Sequence, residues 1–129
     1  MAEPLKILVL DDEATIRDLT CEMLEVLSYK VESAGSCREA VAKYREAMDS
    51  GHPFDLVIFD INLKGDRNGF DTLQEIKKID DNVKAIAATG FAGPEIGSDN
   101  MENVFDLVIN KPYTMSVLKD AICKVVDAN

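Results

Sequence analysis

The sequence predicts an α/β protein, a parallel sheet with helices on both of its faces. Three observations predict it. Short runs rich in apolar residues recur along the chain, and each is followed by a stretch with apolar residues at helical spacing. The order is strand then helix throughout, and right-handed crossovers then set the strands side by side with helices on either face. The runs "LKILVL" and "DLVIF" are apolar at successive positions rather than alternate ones, as in strands buried on both faces.

The elements follow in order. "LKILVL" (5–10) is the first strand, with one Lys in an apolar run. "ATIRDLTCEMLEVLS" places Ile16, Leu19, Met23, Leu24 and Leu27 at helical spacing. "YKVESA" is a short alternating strand. "SCREAVAKYREAMDSG" opens with Ser36 and Glu39 as a capping box and ends at Gly51. "DLVIF" (55–59) is the third strand, and "GFDTLQEIKKI" carries Phe70, Leu73, Ile76 and Lys77 at amphipathic spacing. "VKAIAAT" is the fourth strand, built from small and β-branched residues. "GPEIGSDNMEN" (93–103) is a weak helix with Gly97 inside it. "VFDLVI" (104–109) is the fifth strand, and Thr114 caps a final helix whose Val117, Leu118, Ala121, Ile122 and Val125 form an apolar stripe.

Size and composition narrow the function. At 129 residues the chain suits one domain with a proper core. A net charge of −10 repels phosphate backbones and anionic lipid heads, which argues against nucleic-acid binding by this domain and against a membrane role. No apolar run reaches membrane-span length and "MAEPLK" lacks the apolar stretch of a signal peptide, so the expected location is cytoplasmic. Cys21, Cys37 and Cys123 are odd in number and far apart, without a CxxC pair, and read as reduced thiols in helices.

Ligands of parallel sheets sit outside the carboxyl ends of the strands. Asp11 and Asp12 follow the first strand and Asp60 the third; Thr89 and Gly90 follow the fourth, and Lys111 and Pro112 the fifth. Three carboxylates packed together repel one another unless they take up protons or a cation. A hard divalent ion with oxygen ligands answers this, and Mg²⁺ suits a site of few carboxylates and several waters. Asp60 could then attack phosphorus to form an acyl phosphate, with Lys111 pairing with one phosphoryl oxygen and Thr89 bonding another.

A second reading competes at one place. Asp60, Asn62, Gly65, Asp66, Asn68 and Asp71 fall at positions 1, 3, 6, 7, 9 and 12 of an EF-hand calcium loop. Lys64 at position 5 and an Asp rather than a Glu at position 12 depart from that pattern, and "DLVIF" reads as a strand where the loop needs an incoming helix. The flavin carrier with the same topology needs a Ser, Thr and Gly-rich phosphate loop where Asp11 and Asp12 stand.

"ILVLDDE", "LVIFD", "AATG" and "INKP", in order and spacing over nearly the whole chain, resemble the receiver domain of bacterial two-component response regulators. The resemblance implies a flavodoxin-like fold with strand order 2-1-3-4-5 and a single receiver domain over 1–129. It implies Asp60 as phosphoacceptor, with Asp11, Asp12, Asp60 and the backbone carbonyl of Asn62 holding Mg²⁺. Thr89, Gly90 and Lys111 would bind the phosphoryl group, and the bond to Pro112 would be cis. The partner would be a histidine kinase or a histidine phosphotransfer domain, the chain being an acceptor that assists its own modification rather than a turnover enzyme. Its output would be a population shift at the face of the 93–103 helix, the fifth strand and the final helix.

Departures are present. Val108 stands where the family often has an aromatic switch residue, and a valine cannot swing between pockets as a ring does. Gly90 replaces the usual Ala, and Phe91 offers no polar group to orient a hydrolytic water, which together suggest a long-lived phosphoryl state. "AVAKYREAMDSGHPFDLVIFD", "NVKAIAATGF" and Val108 resemble more narrowly the C-terminal receivers of hybrid sensor histidine kinases.

Overall fold

The computed structural model describes residues 5–60, 69–89, 105–110 and 113–127. The strands are β1 (Lys6–Leu10), β2 (Lys30–Ala34), β3 (Leu56–Asp60), β4 (Ala85–Thr89) and β5 (Leu107–Asn110). The helices are α1 (Ala14–Val26), α2 (Cys37–Asp49), α3 (Gly69–Ile79) and α4 (Met115–Asp127). The strands form one parallel sheet in the order β2-β1-β3-β4-β5, as the resemblance implies. The expected weak helix at 93–103 lies outside the described residues.

The apolar strands divide their side chains between two cores. Leu8, Leu10, Val57, Phe59, Ala85 and Ala87 pack with Ala40, Tyr44 and Ala47 of α2 and Leu73 and Ile76 of α3. Ile7, Val9, Leu56, Ile58, Ile86 and Ala88 face the other way, onto Leu24 of α1 and Leu118, Ala121, Ile122 and Val125 of α4. Successive residues of one strand point to opposite faces, so an uninterrupted apolar run is what two helical layers require.

Two stripe residues point elsewhere than expected: Leu19 and Val117 are 54% and 44% exposed. Leu24 is the buried centre of α1, and Leu19, five positions earlier, lies about 140° round the helix from it. The inward side there is completed by Thr20, whose hydroxyl is 2.7 Å from that of Tyr113.

Helix ends are closed by local bonds. Ser36 Oγ accepts the Glu39 N–H, but the Glu39 carboxylate takes the N–H of Gly35, one residue before the cap, so the capping box is shifted by one position. After α2, Gly51 has φ 82°, with its N–H donating to the Met48 carbonyl and that of His52 to Ala47. The same Schellman pattern ends α1, with the N–H groups of Ser28 and Tyr29 donating to Glu25 and Leu24. There the left-handed position is occupied by Ser28 at φ 72°, not by glycine.

One device recurs at the amino-terminal rim of the sheet. The Asp55 N–H donates to the Lys6 carbonyl while its carboxylate accepts the Lys6 N–H at 2.8 Å. Asp106 does the same to Ala85, at 2.9 and 2.7 Å. Each aspartate stands one residue before a strand and pinches the first residue of the neighbouring strand. This is why β5 begins at Leu107, later than the apolar run suggests.

Candidate functional site

The strand order reverses about β1, which lies between β2 and β3. That is the switch point at which such sheets bind ligands. Pairing of Leu10 with Phe59 sets the next residues, Asp11 and Asp60, level with each other at the carboxyl edge. Asp60 is the last residue of β3 and pairs with Ala88, while Thr89 closes β4 and pairs with Asn110.

The acids gather as the sequence predicts. Asp11, Asp12 and Asp60 each offer a carboxylate oxygen, and these oxygens lie within 4.8 Å of one another. Asp11 and Asp60 are buried, at 2% and 3% exposure, and Asp12 is half-buried. Thr89 is buried as well, at 3%. Val108 is half-buried in β5 and packs against the core shared by α2 and α3. Asn62, Gly90, Lys111 and Pro112 lie outside the described residues.

Local bonds aim Asp11. Its N–H donates to the Ala34 carbonyl at 3.1 Å, and its Oδ1 accepts the Glu13 N–H at 2.9 Å. Its carbonyl accepts a 2.9 Å bond from Arg17 Nη1. Sequence reasoning missed Arg17 here, because its contact depends on how the short turn between β1 and α1 brings the guanidinium back to Asp11. Burial of two carboxylates beside a third is costly without a cation or donors. The donor set, three hard anionic oxygens close enough to share one ion, fits Mg²⁺.

The described residues at the two ends of the calcium loop lend it no support. Asp60 ends a strand rather than following a helix, and Asp71, its twelfth position, lies exposed in the first turn of α3. An EF-hand needs a helix before position 1.

The response regulator receiver domain family matches residues 7–123. The chain belongs to that family. This receiver is 31% identical over 121 residues to the chemotaxis protein CheY of Thermotoga maritima, covering 93% of this chain and 96% of that protein. It superposes on a CheY-like receiver domain from Methanospirillum hungatei with TM-score 0.82 at 31% identity, covering 97% of this chain and 95% of that one. The response regulator TrrA of Thermotoga maritima, solved in complex with Mg²⁺-BeF, gives TM-score 0.78 at 32% identity over 94% of this chain and 98% of that one. Several other curated relatives are longer, and the chain spans less than half of them. Receiver domains are phosphoacceptors of two-component signalling that work with histidine kinases and phosphotransfer proteins.

The cysteines are free and all lie in helices, Cys21 in α1, Cys37 in α2 and Cys123 in α4. Burial pushes the Cys21 thiol above its ordinary value, so it stays protonated. No helix among the described residues is long and apolar enough to cross a membrane.

Proposed function

We propose that Asp60 accepts a phosphoryl group from a phosphohistidine of a histidine kinase or histidine phosphotransfer domain, at a Mg²⁺ site held by Asp11, Asp12, Asp60 and the carbonyl of Asn62. The observation that carries this reading is the convergence of the three carboxylates, two of them buried, at the switch point of the sheet. The Mg²⁺-BeF complex of TrrA supports the same chemistry in a relative.

A carboxylate oxygen of Asp60 attacks phosphorus as the P–N bond breaks, and the electron pair returns to the imidazole ring. The product is an acyl phosphate on Asp60. Bound Mg²⁺ would screen the carboxylates and neutralise charge on the incoming phosphoryl oxygens. Thr89, Gly90 and Lys111 would bind the phosphoryl oxygens, as the family resemblance implies, with a cis bond to Pro112 aiming Lys111. With Val108 at the position of the usual aromatic switch, conformational output would run through the face of the 93–103 segment, β5 and α4 without a swinging ring. The domain works as a signalling acceptor in the cytoplasm, not as a turnover enzyme.

Mass spectrometry after acetyl phosphate treatment tests this. The wild type should gain one phosphoryl group with Mg²⁺ and little without it, and Asp60→Ala should gain none. Labelling that persists in Asp60→Ala moves the acceptor elsewhere.

A further inference from the structure

We propose that Arg17 is a positioning residue for the metal-holding acids, and that residue 35 is glycine because Arg17 needs its space. The inference rests on the reading of Asp11, Asp12 and Asp60 as a divalent-cation site.

The carbonyl that Arg17 holds belongs to the peptide joining Asp11 to Asp12. A peptide is planar, so fixing its oxygen also fixes the N–H of Asp12 and the direction in which Asp12 leaves. The bond from Asp11 N–H to Ala34 fixes how the chain enters the site, and the bond from Arg17 fixes how it passes to the second acid. The spacing of the two carboxylates is therefore set from outside the cluster. The guanidinium is always charged, which strengthens the bond to the carbonyl.

Gly35 follows Ala34 directly, with no positive φ to explain a glycine. A Cβ there would sit 2.8 Å from Arg17 Nη1 and 3.6 Å from Cζ. Next nearest is Glu39 Oε1 at 3.9 Å, an ordinary contact. A Cβ at residue 35 thus collides with one thing, the far end of Arg17, which can swing away while the backbone stays. The carboxyl of Glu39, held below its ordinary range chiefly by the Gly35 N–H, flanks this guanidinium and favours it where it lies.

Electrostatics alone argues the other way. A positive charge beside a cation site opposes the cation, so removing it should tighten binding. Positioning predicts the reverse, and the sign decides between them.

Mg²⁺ titration by calorimetry is compared across the wild type, Gly35→Ala, Arg17→Lys, Arg17→Met and the Arg17→Met/Gly35→Ala double variant, with thermal unfolding of each in EDTA. Gly35→Ala, which changes no charge, should weaken Mg²⁺ binding about tenfold, the low end for residues that orient metal ligands. Arg17→Lys should weaken it too, since the ammonium lacks the rigid fork. The double variant should bind no more weakly than Arg17→Met, because the group that Gly35 accommodates is gone. Wild-type affinity in Gly35→Ala, or tighter binding in Arg17→Met, overturns the proposal. So does a lower metal-free melting temperature with unchanged affinity, which would make the contact merely structural. A wild type that binds no Mg²⁺ overturns the cation-site reading itself, whereas a binding wild type with an indifferent Gly35→Ala overturns only the role of Arg17.

Discussion

Replacing Asp60 with asparagine should make the metal-free protein more stable, although the substituted residue is buried. The three carboxylate oxygens lie within 4.8 Å of one another. At that distance two unit charges repel by about 3.5 kcal/mol at an effective dielectric of about 20, and by about 0.9 kcal/mol in a water-like medium. Asp60 takes part in two such pairs, one with buried Asp11 and one with half-buried Asp12. Donors such as the Glu13 N–H on Asp11 offset part of the repulsion. The net gain should be about 1–3 kcal/mol, the size of one such pair rather than two. Asparagine keeps the shape of the side chain, so no cavity subtracts from it. With an unfolding entropy of about 2.1 cal/mol/K per residue, each kcal/mol raises the melting temperature of this 129-residue chain by about 4 °C. The assay is thermal and urea unfolding in EDTA, repeated with Mg²⁺. The wild type should gain stability from Mg²⁺ and the variant should gain less. An Asp60→Asn protein less stable than the wild type in EDTA would refute the reasoning, because the acids would then be satisfied rather than strained.

Two further outcomes are expected. Burial, with the Asp80 carboxylate 2.7 Å away, pushes the Tyr44 hydroxyl well above its ordinary value of 10.0. The folded state therefore holds that proton more tightly than the unfolded one, and the contribution is whole below pH 10 and declines as the pH rises past it. Tyr44→Phe should cost about 1–2 kcal/mol in urea unfolding at neutral pH and flatten the alkaline fall in stability. Ser28→Gly should stabilise by about 0.5–1 kcal/mol, since glycine takes the left-handed conformation without the steric cost a side chain meets there; chemical denaturation at fixed pH reads the gain.

What the sequence made legible is what local pattern encodes. The apolar runs gave the strands because two helical layers need uninterrupted burial, and Asp11, Asp12 and Asp60 stood out as acids at the tips of those runs. The end of α2 at Gly51 was legible for the same local reason. The bond from Arg17 to Asp11, the space at Gly35 and the contact of Thr20 with Tyr113 were not, because the first depends on the turn between β1 and α1 and the other two join segments whose adjacency only the fold decides. Leu19 and Val117 misled because an apolar residue at the margin of a helical stripe can lie on either side of it. The cap of α2 was read correctly at Ser36, but the reach of Glu39 to Gly35 depends on the turn before the helix.

The aspartates that precede β3 and β5 bear on the chemistry from the far side of the molecule. Asp55 locks β1 against β3, and Asp106 locks β4 against β5, both at the rim away from the acids. A slip of one residue between β1 and β3 would turn every side chain of β3 to the opposite layer and carry Asp60 past Asp11. The two clamps thus serve as index pins. The first holds the alignment at one end of the five-residue strands β1 and β3 so that the reactive carboxylates meet at the other, and a fault in it should surface as lost cation affinity in a protein that still folds.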